Sequence, residues 1–228
     1  MGKTFAEKVL CLKGDNPEAA AGQIVNAVPD LLMCDCGSFA ISIKQFYEFG
    51  VKRMRYPEKV VSIFDHFIPA ESVLTANNHK IVRQFVKEQG IKHFYDLKEG
   101  ICHQVMVEKC HALPGMLILG KDSHTPSYGA VGCFGSGIGT TEMACILATG
   151  SLWLRIPETI KITINGALRP GVYAKDIALK IVTDLTADGC TYKAVEFCGE
   201  TVRRMGISEK FTLANMSAEI GAKCSFIA

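Results

Sequence analysis

The stretch that decides the fold runs from Met116 to Gly139 and reads MLILGKDSHTPSYGAVGCFGSGIG. Residues 116–119 are all apolar, which predicts a strand that is buried on both faces. The strand ends at Gly120, and residues 121–124 are Lys, Asp, Ser and His. Because ligands of open α/β sheets bind at the carboxyl ends of the strands, the sequence predicts a carboxylate, a hydroxyl and an imidazole at a ligand-binding edge.

The second half of this stretch is rich in glycine, at positions 129, 132, 135, 137 and 139. Glycine permits positive φ angles and the close approach of another group. The spacing matches neither the dinucleotide fingerprint nor the phosphate-binding loop, and Ser123 does not lie in a nucleophile elbow. We therefore predict no nucleotide site here, but a turn followed by a helix that begins at Thr140.

Strands and helices alternate along the rest of the chain. Apolar runs predict strands near 22–28, 30–35, 59–64, 91–95, 159–164 and 194–197. Helices are predicted after the Thr4 capping box and over 38–50, 72–89, 101–109, 174–185 and 212–220. This order predicts an α/β fold with a largely parallel sheet and helices on both faces. No internal domain boundary is evident within residues 1–228.

Composition and charge exclude several classes of protein. The formal net charge of +2 is too small to indicate a nucleic-acid surface. No apolar run reaches the roughly 20 residues that cross a bilayer, and the first residues lack a signal peptide's apolar core, so we expect a cytoplasmic protein. The ten cysteines are scattered through apolar segments and include no Cys-x-x-Cys pair. Reduced, buried thiols are therefore expected.

Acidic and imidazole groups recur where strands end or helices begin: Asp65 with His66, His103, Asp122 with Ser123 and His124, Glu196, and Glu219 near Asn215. A carboxylate against an imidazole fixes its tautomer and stabilises the imidazolium, which suits acid–base chemistry near neutral pH. Each group alone could also be an ordinary polar turn. The other histidines, His79, His93 and His111, lack such a context and are expected on the surface.

The sequence from Gly120 to Pro126, GKDSHTP, with the glycine-rich turn after it, resembles the signature of the aconitase superfamily of iron–sulfur hydro-lyases. Residues 148–154, ATGSLWL, are most similar to large subunits of the isopropylmalate or homoaconitate type. The resemblance extends from Thr4 to the last residue. It implies an aconitase-like N-terminal region that is incomplete.

The resemblance also implies roles for individual residues. Asp65 and His66 match an acid pair whose histidine protonates the departing hydroxyl. His103 is expected to pair with Asp122, and His124 with Glu196.

Further residues match positions that meet the substrate or the cluster. Ser123 matches the serine that lies against a substrate carboxylate. Asn215 and Glu219 match a segment close to the cluster and its iron-bound water. Cys34 occupies the place of a polar residue that contacts substrate in aconitase, which implies a substrate other than citrate.

In this family a 4Fe-4S cluster is the cofactor. Three cysteines hold it, two of them in a Cys-x-x-Cys, and they lie well downstream of residues 218–221. None of the ten cysteines here matches them, so no metal ligand is expected in this chain and no cluster in the isolated chain. The family's catalytic base, a serine, belongs to a separate swivelling domain or small subunit, which is the expected partner.

The expected function is therefore that of a hydro-lyase large subunit. It would act on a hydroxylated di- or tricarboxylic acid such as 3-isopropylmalate or homocitrate, with no nucleic-acid or membrane partner, and the chain alone would be inactive. One alternative is a non-catalytic N-terminal fragment. Another is a zinc hydrolase with ligands from Cys102, His103, Cys110 and His111, although these four do not converge on one point of a short helix.

Overall fold

The centre of the molecule is a five-stranded parallel sheet in the computed structural model, which describes residues 2–228. In spatial order its strands are His93–Tyr95 (β4), Val60–Ile63 (β3), Leu31–Asp35 (β2), Leu117–Gly120 (β5) and Phe134–Gly137 (β6). All neighbouring strands pair in parallel, so their carboxyl ends lie at one edge. The four residues of β5 are all buried, as its uninterrupted apolar sequence predicts.

Helices cover both faces of this sheet, which confirms the predicted α/β class. One face packs against Phe39–Glu48 (α2), Val73–Gln89 (α3) and Thr140–Thr149 (α5), and the other against Cys102–Glu108 (α4) and a 3₁₀ segment, Thr125–Val131. Successive strand residues point to opposite faces. Leu32 therefore lies in the first core and Met33 in the second.

A second, three-stranded parallel sheet follows the first along the chain. It contains Cys224–Ile227 (β10), Ala194–Cys198 (β9) and Thr159–Thr163 (β8), in that spatial order. Three helices accompany it: Ala174–Leu185 (α6), Glu200–Arg204 (α7) and Ile207–Met216 (α8). Val195 and Phe197 of β9 are buried in one core with Leu213 of α8.

The first helix connects the second sheet to the rest of the molecule. Phe5–Lys13 (α1) begins with the predicted capping box, in which Thr4 and Glu7 bond each other's backbone amides. The ring of Phe5 stacks on that of Phe226 in β10, with 3.9 Å between the ring centroids. A two-stranded antiparallel sheet, Ile24–Ala27 (β1) with Leu152–Arg155 (β7), completes the fold.

Two strands and two helices differ from the sequence expectation. β6, whose sequence is Phe-Gly-Ser-Gly, was expected to be a turn, because glycine is depleted in strands. β7 and the short helix α7 were not predicted. Helix α8 begins at Ile207 rather than at 212, and it ends in a 3₁₀ segment, Ser217–Ile220.

All ten cysteines are free thiols, and seven of them are buried. This agrees with the expectation of small apolar core residues. Within residues 2–228, no helix combines the length and the apolar content that crossing a membrane requires.

Candidate active site

Histidines and carboxylates from separate parts of the chain meet at the carboxyl edge of the large sheet. Asp65 and His66 follow β3, whereas Asp122 follows β5. Because β2 lies between these strands, their backbones are about 10 Å apart. The side chains bridge that gap, with His66 Nε2 3.4 Å from Asp122 Oδ2. The prediction that these residues lie at one edge is confirmed.

His66 lies between two carboxylates. Its Nδ1 donates to Asp65 Oδ1 at 2.7 Å, and its Nε2 faces Asp122. The bond to Asp122 and then the bond to Asp65 raise the pKa of His66 to about 10, although burial opposes this shift. The imidazolium is therefore the form present at neutral pH. The side chain remains 40% exposed, so a ligand in the open site can reach it.

Asp122 is the centre of the group. It accepts hydrogen bonds from His103 Nε2 at 2.7 Å and from the backbone amide of His124 at 2.7 Å. Burial raises the pKa of Asp122, but the bonds from His103, His66 and the amide more than offset this and hold the pKa well below its usual range. The predicted pairing of His103 with Asp122 is confirmed. The other ring nitrogen of His103 lies 3.0 Å from the buried hydroxyl of Tyr128.

Asp65 also holds the start of helix α4. The N-cap residue Ile101 has no side-chain hydrogen bond to offer, and Asp65 Oδ2 instead accepts from the amide of Cys102 at 2.7 Å. A carboxylate at this place satisfies an orphan amide and complements the helix dipole. Burial raises the pKa of Asp65, and the bonds from His66 and Cys102 outweigh it, so the net shift is downward.

His124 pairs with a different glutamate from the one predicted. Its Nε2 lies 3.1 Å from Glu219 Oε1, so the predicted contact with Glu196 is wrong. Val195 and Phe197 point into the core of the second sheet, and Glu196 between them therefore points to the opposite face. Glu219 can reach His124 because α8 and the 3₁₀ turn after it pack against the 125–131 segment.

The predicted substrate-binding residues have three different environments. Ser123 is exposed, and its Oγ lies 3.1 Å from His124 Nδ1. Asn215 donates to Ser127 Oγ at 3.0 Å, and that hydroxyl donates to the carbonyl of His124, so Asn215 supports the loop backbone. Cys34 is fully buried under α5, with its Sγ 3.8 Å from the sulfur of Met143. The expectation that Cys34 contacts a substrate does not agree with this burial.

Sequence reasoning missed four residues of this region. Tyr128 and Asp35 are buried. Asp35 follows the pattern of Asp65, a carboxylate at the end of an apolar strand, and it accepts from the amide of Ser38 at 2.9 Å. Lys121 and Lys223 line a cleft of about 370 Å³ beside Asp122. No local pattern in the sequence predicts that Lys223 lies beside Asp122.

The potential metal ligands in the part of the chain that the structure describes do not form a cluster site. Among residues 2–228, the one group of at least three ligand atoms within 4.8 Å of one another comprises Asp65, His66 and Cys102. It contains one thiol, whose pKa burial raises strongly, whereas a cluster needs several thiolates. The residues of this chain therefore do not by themselves fit a 4Fe-4S cluster.

The zinc alternative and one histidine prediction also need correction. Cys110 is exposed, and His111 Nε2 lies 2.6 Å from the hydroxyl of Tyr95, so these two residues do not join Cys102 and His103 in one ligand set. His79, expected on the surface, is 3% exposed and lies under the ring of Phe64.

Comparison with known proteins finds relatives that are similar over nearly the whole of this chain. The 3-isopropylmalate dehydratase large subunit 1 of Methanopyrus kandleri is 50% identical over 227 residues, which cover 100% of this chain and 54% of the relative. The 3-isopropylmalate dehydratase large subunit of Aquifex aeolicus is 40% identical, with 100% and 52% covered. The probable methanogen homoaconitase large subunit of Methanothermobacter thermautotrophicus is 40% identical, with 96% and 52% covered.

The chain thus spans about half the length of the curated relatives it matches. The sequence model of the aconitase family (aconitate hydratase) matches residues 7–228, and the chain therefore belongs to the aconitase family.

Proposed function

We propose that this chain provides acid–base residues for the active site of a hydro-lyase large subunit. The enzyme would dehydrate and rehydrate a hydroxylated di- or tricarboxylic acid such as 3-isopropylmalate or homocitrate. The names of the relatives support the reaction class. The observation that carries the proposal is the partly exposed imidazolium of His66, held between two carboxylates at the carboxyl edge of the sheet.

His66 has the properties of a proton donor. Its raised pKa keeps it protonated at neutral pH, and its exposure leaves room for a substrate hydroxyl. In a dehydration the C–O bond breaks, and the oxygen leaves as water once it receives a proton. A positioned imidazolium that supplies this proton contributes on the order of 100-fold to 10,000-fold in rate. Asp65 and Asp122 fix the ring and stabilise the imidazolium, so the neutral imidazole left after the transfer takes up a proton from solvent water.

The other residues of the group orient Asp122 and the loop. The bond from the buried His103, which Tyr128 holds from the opposite side, fixes the carboxylate of Asp122. His124 with Glu219 forms a second imidazole–carboxylate pair. Both of its side chains are more exposed than those of His103 and Asp122. We propose that this second pair faces the reacting end of the substrate. No contact in the described part of the chain supports a catalytic role for Glu196. That role remains a prediction from the resemblance.

The cofactor would be a 4Fe-4S cluster in the complete subunit. When bound, such a cluster supplies a Lewis acid for the hydroxyl of the substrate. Because the thiols of this chain do not fit it, we propose that its ligands belong to the part of the relatives that this chain does not cover. A small subunit would bring the base that removes the proton from the neighbouring carbon.

The test uses a complete large subunit containing this sequence, with its small subunit, reconstituted anaerobically with iron and sulfide. His66→Asn should lower kcat for 3-isopropylmalate by roughly 100-fold or more while the iron content stays unchanged. The matched control is His93→Asn, a half-buried histidine at the start of β4, outside the group. An unchanged kcat in His66→Asn would refute the proposed role, and loss of iron would show instead that His66 is structural.

A non-catalytic fragment is the second candidate, because the chain covers only about half of its relatives. It would then fold, bind its complementary half or nothing, and leave turnover unaffected. Turnover by the purified 228-residue chain together with a small subunit would exclude this candidate.

A further inference from the structure

Two lysines line the cleft beside the candidate active site. The cleft has a volume of about 370 Å³ and lies between residues 121–123 on one side and 218–223 on the other, with Gly137 and Ile138 between them. Lys121 precedes Asp122 directly, and its backbone amide donates to the carbonyl of Met33 at 2.9 Å. Lys223 is the residue before β10.

Lys223 is half-buried, and few polar groups or opposite charges lie around its ammonium. Its Nζ donates to the carbonyl of Gly137 at 3.0 Å, and an ammonium has three donors. The ring of Tyr192 lies 5.5 Å from Nζ, and Glu142 acts on the lysine through its charge without forming an ion pair. Burial lowers the pKa of Lys223. A buried ammonium is costly unless an anion or several acceptors meet it.

The nearest carboxylate in the sequence, that of Asp122, is already used by His103, by His66 and by the amide of His124. Within residues 2–228, neither Lys121 nor Lys223 forms an ion pair. The exposed hydroxyl of Ser123 lines the same cleft. Two cations and a hydroxyl donor therefore line this space, and the carboxylate in its lining, that of Asp122, already accepts from other partners.

A carboxylate is the anion whose chemistry complements these donors. Its two oxygens can accept from two ammonium groups at once, and a third contact from Ser123 would fix its plane. Gly137 lets the end of β6 pack directly on the loop that carries Ser123, since a Cβ there would come within 2.8 Å of the carbonyl of Asp122 and 3.5 Å of Ser123 Cα.

We propose that Lys121 and Lys223, with Ser123, bind one carboxylate of the substrate in this cleft, while its hydroxyl faces His66. This inference rests on the proposed function and makes it more specific. A molecule must then carry a second carboxylate to bind well, and a hydroxy acid with one carboxylate should bind poorly. The two lysines are specificity-determining residues in this view and take no part in proton transfer.

The experiment measures binding of 3-isopropylmalate to the 228-residue chain by calorimetry and by amide NMR shifts. Lys121→Met and Lys223→Met should each weaken binding by about tenfold or more, the scale of a charge-assisted hydrogen bond. Lys223→Arg, which keeps the charge, should retain most of the affinity. The matched control is Lys175→Met, an exposed lysine in α6. The amide spectrum of each variant verifies its fold.

Two further ligands define the site. The monocarboxylate 2-hydroxy-4-methylpentanoate should bind the wild-type chain at least about tenfold more weakly. Inorganic phosphate should compete poorly. Absence of binding, equal binding by the two lysine variants and the control, or phosphate binding as tight as that of the dicarboxylate would each overturn the inference.

The hydro-lyase assay of the assembled enzyme separates this inference from the proposed function. Lysine-dependent binding without turnover would contradict the proposed function alone. Turnover whose KM and kcat are unaffected by both lysine variants would contradict the inference alone.

Discussion

Replacing Asp122 by Asn tests whether this one carboxylate sets the protonation state of the site. The substitution keeps the shape of the side chain and one oxygen acceptor, but removes the negative charge. His66 loses one of its two carboxylate partners and retains Asp65 at 2.7 Å. The pKa of His66 should therefore fall from about 10, yet stay above its ordinary value of 6.5.

The size of the fall follows from the distance and the exposure. For unit charges 3.4 Å apart, Coulomb's law gives about 5 kcal/mol at an effective dielectric constant of 20, and about 1.2 kcal/mol in water. Because the side chain of His66 is 40% exposed, screening moves the value towards the lower figure. With about 1.4 kcal/mol for each pKa unit, we expect the pKa of His66 to fall by about one unit.

The assay is an NMR titration of the ring protons of His66 in the wild-type chain and in Asp122→Asn. Asp184→Asn, which neutralises an exposed carboxylate in α6, is the matched control and should leave the pKa of His66 unchanged. The free energy of unfolding of Asp122→Asn should also fall, by about 1–3 kcal/mol, because the bond from His103 loses its charged acceptor. An unchanged or increased pKa of His66 in a folded variant would refute the electrostatic argument.

Three further predictions concern the chain as it stands. Tyr128→Phe should lower the free energy of unfolding by about 1 kcal/mol in urea titrations, because the buried ring nitrogen of His103 loses its partner, whereas Tyr173→Phe at an exposed position should change little. The stabilisation from the raised pKa of His66 is fully present below pH 6.5 and is lost as the pH rises through about 10. The difference in the free energy of unfolding between the wild type and His66→Asn should therefore shrink over that range. A constant difference would contradict the assignment. Anaerobic reconstitution of the isolated chain should yield no stable 4Fe-4S cluster and no turnover, and about four irons per chain with activity would contradict this.

The strand ends of the large sheet could be predicted from the sequence. The apolar runs before Asp65 and Asp122 place both carboxylates at a strand's carboxyl end, and parallel strands bring such ends to one edge. The pairing of His103 with Asp122 came from the resemblance, and the geometry agrees with it. These predictions succeeded because they depend on local patterns and on a simple rule of sheet topology.

The partner of His124 could not be predicted in the same way. Glu219 is 95 residues further along the chain, and it reaches the ring only because α8 packs against the 125–131 segment. Both Glu196 and Glu219 follow apolar residues, and local patterning does not distinguish them. The burial of Cys34 could not be predicted from local patterning either. Because β2 is buried on both faces, its sequence does not reveal which face a ligand can reach.

The sequence did not predict β6 as a strand because its glycines are explained by a contact with another segment of the chain. A Cβ at Gly135 would collide with the carbonyl of Thr125, so this glycine allows the 3₁₀ segment to lie directly on the strand. Glycine here is a requirement of close packing, although in a sequence it reads as a turn. The same stretch thus gave a correct prediction of where Asp122 lies and a wrong prediction of the secondary structure of residues 134–137.

The loop that carries the site is held by both sheets. Ser225 of β10 donates to the carbonyl of Pro126 at 2.8 Å, and a Cβ at Gly129 would collide with the backbone of Ser225. His66 and Asp65 are positioned by the large sheet, by α4 and by Asp122 of this loop. The buried bonds around Asp122 therefore fix the proton donor, whereas His124 depends on the docking of the second sheet.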